Sequence, residues 1–124
     1  MTIADEPETA LDIRAFPGEW INTNEGPREI DRVLLRTAED RLYLRVLGHG
    51  HPGGADWGEI EVTDIYADSA TSREGMSFTG EFTLGAMRVE VGVNLNQGLL
   101  VMAMFNTWTG TGRPNYFARE FFRQ

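Results

Sequence analysis

Val89, Val91 and Val93 alternate with Arg88, Glu90 and Gly92. A period of two in apolar character marks a strand with one face turned to a core. The same grammar runs through most of the chain. Segments 19–23, 30–36, 42–47, 59–67, 77–84, 87–94, 99–108 and 116–123 are short and rich in β-forming residues. Turn-forming stretches separate them, among them Asn24-Glu25-Gly26-Pro27, Glu39-Asp40, Gly85-Ala86 and Asn96-Gln97-Gly98. No helical pattern long enough to cover a sheet intervenes. About eight antiparallel strands in hairpin succession close most simply as an all-β, up-and-down β-barrel, because closure removes the exposed edges of an open sheet. A barrel of this size is either filled by side chains or holds one small ligand. A two-sheet sandwich is the alternative arrangement of the same strands. Residues 1–15 read as an N-terminal tail or arm, and 16–124 as the barrel domain.

The residue inventory removes whole classes of chemistry. The chain has no cysteine and no lysine, which excludes thiolate nucleophiles, disulfides and Schiff bases. Its only serines, Ser69, Ser72 and Ser77, lie in one stretch without a Gly-x-Ser-x-Gly elbow. A formal charge of −8 argues against nucleic acid as a partner, since phosphate recognition needs a basic surface. The acidic segment 1–12 lacks the apolar core of a signal peptide, and no run approaches the roughly 20 apolar residues of a membrane-spanning helix. The expectation is a cytoplasmic protein with no membrane partner. Catalysis, if any, falls to carboxylates, tyrosines, threonines or the histidines.

His49-Gly50-His51 with Asp56 places two imidazoles on one face of an extended segment. Two histidines and one carboxylate are a minimal ligand set on a glycine-loosened loop, so no metal and no other cofactor is expected. A mobile mouth loop is the better functional reading, with Trp57 as its apolar face. More telling are ionisable residues in apolar strand phase. Unbroken alternation puts Asp64 with Ile60, Val62 and Tyr66, Glu120 with Tyr116, Ala118 and Phe122, and Arg32 between Ile30 and Leu34. Charges facing a barrel interior are costly unless bridged, so such groups are structural pairs, or a polar cluster in a cavity. A bulge that shifts the phase would instead turn them to water. Segment 99–108 is apolar on both faces: Leu99, Val101, Ala103 and Phe105 on one, Leu100, Met102 and Met104 on the other. With Phe117 and Phe121 beside it, one face is expected to be covered by the arm or by a second subunit of a homodimer.

Gly18-Glu19-Trp20 resembles the Gly-x-Trp opening of lipocalins and related calycin barrels, and Trp20 with Asn22 is similar to the opening of avidin-like proteins. That resemblance implies a late arginine, Arg119 or Arg123, packed over Trp20 near the closed end. His51-Pro52, Asp56-Trp57-Gly58, Asn115-Tyr116 and Phe121 further resemble a group of small bacterial β-barrel proteins in which cysteines often flank the His-Pro to Asp-Trp-Gly stretch. Gly50 and Ala55 stand at those places here. The resemblance implies a fold and transfers no catalytic residue.

The leading functional expectation is a small, largely apolar molecule bound inside the barrel through its mouth. Tyr43, Tyr66, Trp57, Met104, Phe105 and Trp108 are the candidate walls, and Arg32, Asp64 and Glu120 the polar anchors. The alternatives are a cofactor-free cyclase or isomerase using Asp64 or Glu120 as general acid/base with Tyr66 or an arginine stabilising an oxyanion, or a structural or interaction module.

Overall fold

The computed structural model describes residues 10–50, 55–110 and 112–124. Nine strands follow one another: β1 (Gly18–Asn22), β2 (Ile30–Ala38), β3 (Arg41–Gly48), β4 (Glu59–Val62), β5 (Asp64–Ala67), β6 (Gly75–Leu84), β7 (Met87–Asn96), β8 (Leu99–Trp108) and β9 (Tyr116–Arg123). All pairings between them are antiparallel, in the order β4-β3-β2-β1-β9-β8-β7-β6-β5. β4 and β5 stand at opposite ends of that order, yet only Thr63 separates them in sequence. They are two halves of one broken strand, the first paired to β3 and the second to β6. The sheet therefore curls into a nearly closed up-and-down barrel.

Short hairpins set the register. At the β2–β3 link, Glu39 and Asp40 both adopt left-handed backbone (φ 52° and 63°), the conformation a two-residue turn needs to match strand twist. Alternation then assigns the faces. Val33, Leu42, Leu44, Val46, Phe78, Val89, Val93, Leu100, Met102 and Phe122 are fully buried inside. They form a continuous apolar core of the kind that supplies most of a small barrel's stability.

One end of the barrel is closed by the segment before β1. Asp12 forms a parallel bridge with Glu74, its N–H donating to the Arg73 carbonyl (2.7 Å) and its carbonyl accepting from Gly75 (2.8 Å). This ties down Phe16, which is wholly buried and meets Phe78 edge-on at 5.3 Å. Trp20, 4% exposed, donates its indole N–H to the Phe16 carbonyl at 3.0 Å. The cap over Trp20 is thus this strap and not an arginine. Arg119 lies on the outer wall with its guanidinium 5.7 Å from the Phe121 ring, and Arg123 is also on the outside.

Candidate functional site

At the opposite end, the mouth, lie the described parts of the links between β1 and β2, β3 and β4, β6 and β7, and β8 and β9. Register stacks the inward side chains in layers. Leu84, Met87 and Trp108 form the rim. Below them lie Phe82, Val89, Asn106 and Tyr116, and below those Gly80, Val91, Met104 and Ala118. Trp57 folds back into the second layer. Its backbone N–H donates to the Val46 carbonyl (2.9 Å), and its indole meets Phe82 at 5.5 Å in an edge-on contact. The Arg113 guanidinium covers the Trp108 ring at 4.7 Å, and the Trp108 backbone N–H donates to the Asn115 side-chain oxygen at 3.0 Å.

Two buried polar atoms in this region have no hydrogen-bond partner among the described residues: Nδ2 of Asn106 and Nε1 of Trp57. Asn106 itself is 4% exposed. A buried unsatisfied N–H costs on the order of 1–3 kcal/mol, so two donors around one layer call for an explanation. Tyr116 completes the layer. Its phenol is pushed up to about 12, first by burial, then by the nearby Glu29 carboxylate and the hydrogen bond between them. It stays a neutral donor at physiological pH. An unpaired N–H in apolar surroundings is chemically suited to a hydrogen-bond acceptor such as a carbonyl.

Glu120 faces inward as its alternation with Tyr116, Ala118 and Phe122 requires, paired across from Met102. Its carboxylate accepts from Asn22 Nδ2 (2.9 Å) and from the backbone N–H groups of Glu29 (2.7 Å) and Ile30 (3.1 Å). Those donors fasten the β1–β2 loop to β9 and occupy the carboxylate. Glu120 is a structural anchor beside the mouth.

Several expected site residues lie elsewhere. Asp64 and Tyr66 are exposed on the outer wall, paired with Thr79 and Ser77. Thr63 interrupts the strand between Val62 and Asp64, and one extra residue in a period-two pattern moves everything after it to the other face. The inward residue of β5 is Ile65. Arg32 is outside for a related reason: a bulge between Ile30 and Arg32 turns Arg32 outward, where it pairs with Glu19 at 2.6 Å. Tyr43 lies on the outer face of β3, stacked under the Arg36 guanidinium at 4.3 Å. Phe105 is 56% exposed, also outside. Met104 is buried in the core, leaving Trp57 and Trp108 as the expected walls that do border the mouth. Of the histidine pair, His51 lies outside the described residues. His49 Nδ1 is 2.9 Å from Asp31, while the Asp56 carboxylate is engaged by Arg45 and the Gly58 N–H. Asn106 escaped sequence reading because an asparagine on a strand reads as a surface residue. Its phase with Met102 and Met104 was the available signal.

A hollow lies on the outer wall, where β4 and β5 part. It is a groove of about 480 Å³ bordered by Ile60, Glu61, Asp64, Glu81, Glu90 and Phe105. Ile60 bridges the seam toward β6, its Cδ1 sitting 2.9 Å from where a Cβ on Gly80 would be.

No known family model matches this chain, and no curated protein or solved structure matches it either.

Proposed function

We propose that this barrel binds a small, largely apolar molecule carrying a hydrogen-bond acceptor, seated at the mouth between Trp57, Phe82, Asn106 and Trp108. The carrying observation is the pair of buried donors without partners, Asn106 Nδ2 and Trp57 Nε1. The lipocalin-like resemblance of Gly18-Glu19-Trp20 and the avidin-like one of Trp20 with Asn22 agree with a ligand-binding role, as does an apolar layer beneath the mouth built from Val91 and Met104. The cyclase or isomerase alternative loses its first acid/base candidate, because Asp64 points to solvent.

Calorimetric titration with a small aromatic ketone such as benzophenone tests the proposal. Wild type should bind, and Asn106→Leu should weaken binding about tenfold, the effect of one lost hydrogen bond. The same substitution should raise the apo melting temperature, since it removes an unsatisfied buried amide of nearly the same size. Equal ketone affinity in wild type and Asn106→Leu would refute the assignment of that donor.

A second reading, an interaction module, is favoured by a separate observation. Phe105 and Phe117 are 56% and 54% exposed and pack on each other at 5.1 Å on the outer wall of β8 and β9, with Phe121 beside them. Contiguous exposed aromatic surface of this kind marks a contact site.

A further inference from the structure

The outer wall around Phe105 is divided by charge, and the division is self-complementary. Register sets its rungs. Glu81, Glu90, Phe105 and Phe117 form one; Thr79, Gly92, Ala103 and Arg119 form the next. Across β6 to β9 the surface therefore runs from carboxylates, through an apolar strip, to arginine. Glu81 and Glu90 stand directly opposite each other on adjacent strands, an arrangement that like-charge repulsion disfavours. With Glu61 and Asp64 they border the seam groove. Arg88 approaches Glu90 at 3.3 Å. Arg119 has no carboxylate partner among the described residues; its guanidinium rests over Phe121.

We propose that a second copy of this chain docks on this wall through a two-fold axis parallel to β8, with Arg119 of each copy pairing with the partner's Glu90. The inference rests on the interaction reading. A two-fold along the strands carries the β9 side of one copy over the β7 side of the other, so arginine meets carboxylate on both sides of the axis. A two-fold across the strands would oppose carboxylate to carboxylate. Rungs keep their level under the first operation, so Arg119 descends over the partner's Gly92 and Ala103. A Cβ on Gly92 would have nothing within 4 Å, which leaves room for a long side chain beside the carboxylate. Phe105 of the two copies meet near the axis, and Phe117 flanks them. The interface is isologous, the commonest closed form of association, with an aromatic centre and a charged border.

The test is sedimentation velocity of the full chain from low to high micromolar concentration. Wild type should dimerise. Arg119→Glu and Glu90→Arg should each weaken the dimer at least about tenfold, and the double variant should recover most of that loss by restoring opposite charges. Both positions are at the surface, and circular dichroism with thermal melting checks that each variant folds. Dimerisation lost in Phe105→Glu but untouched by the charge variants would overturn this geometry while leaving the interaction reading standing. Failure of the double variant to recover would also overturn it. A wild type that stays monomeric throughout would remove both.

Discussion

Tyr116 shows how one side chain reports the state of the mouth. Its phenol is raised from 10.0 to about 12, first by burial and then by Glu29. The folded state thus holds that proton more tightly than the unfolded chain. The stability this contributes is complete below pH 10, and is lost as pH rises through about 12. Tyr116→Phe should accordingly flatten the alkaline fall in melting temperature across that window. It should also remove the highest-pH step from the ultraviolet titration of the tyrosines. An unchanged alkaline limb would show that Tyr116 ionises as freely in the barrel as in the unfolded chain. Beside it, Glu120 illustrates the opposite use of an inward charge, since three donors from Asn22, Glu29 and Ile30 convert it into a clamp.

Among the elements, the strap before β1 makes a close approach at Gly75 that a larger residue would crowd. A Cβ at Gly75 would lie 3.1 Å from each of the Asp12 carbonyl oxygen, Ile65 Cγ2 and Phe16 Cε2. The backbone carbonyl and the buried ring cannot both retreat without loosening the cap over Trp20. Gly75→Ala should therefore cost about 1–3 kcal/mol, the usual penalty of overpacking. Urea denaturation measures it, and Trp20 fluorescence should shift to the red as the strap lifts. The β4–β5 element makes a related point. Ile60 and Val62 face inward, Thr63 breaks the phase, and Ile65 faces inward again. That break lets one line of chain pair with β3 over its first half and β6 over its second.

For the molecule as a whole, closure is uneven. β7 and β8 pair along all 10 residues of each strand, whereas the β1–β9 ladder has the register pairs Ile21–Arg123 and Asn22–Phe122. Local opening follows the density of ladder bonds and buried contacts. Native-state hydrogen exchange should therefore show the strongest protection at inward β7 and β8 positions such as Val91 and Met102. The weakest protection among strands should fall in β4 and β5 at the seam. Uniform protection around the barrel would contradict this ranking. A dimer on the β8–β9 wall would add to protection there, which links the exchange pattern to the association proposed above.

Strand existence, hairpin positions and barrel architecture were legible because they are written in local chemistry: valine alternation, and turn residues such as Glu39-Asp40 between apolar runs. Val89, Val91, Val93 and Glu120 face where their local phase puts them. The two-sided apolar character of 99–108 leads to the expectation of a covered face, and among the described residues Phe105 on that strand stays 56% exposed. Strand phase across an interruption was not legible. A bulge at Asp31 and a break at Thr63 each add one residue to an alternating pattern, and nothing in the side chains nearby announces them. Each defect turned a supposed cavity anchor, Arg32 and then Asp64, to the outside. Which donors lack partners is a property of the assembled interior. Asn106 and Trp57 lie 49 positions apart in the chain, and only closure of the barrel brings them to the same mouth.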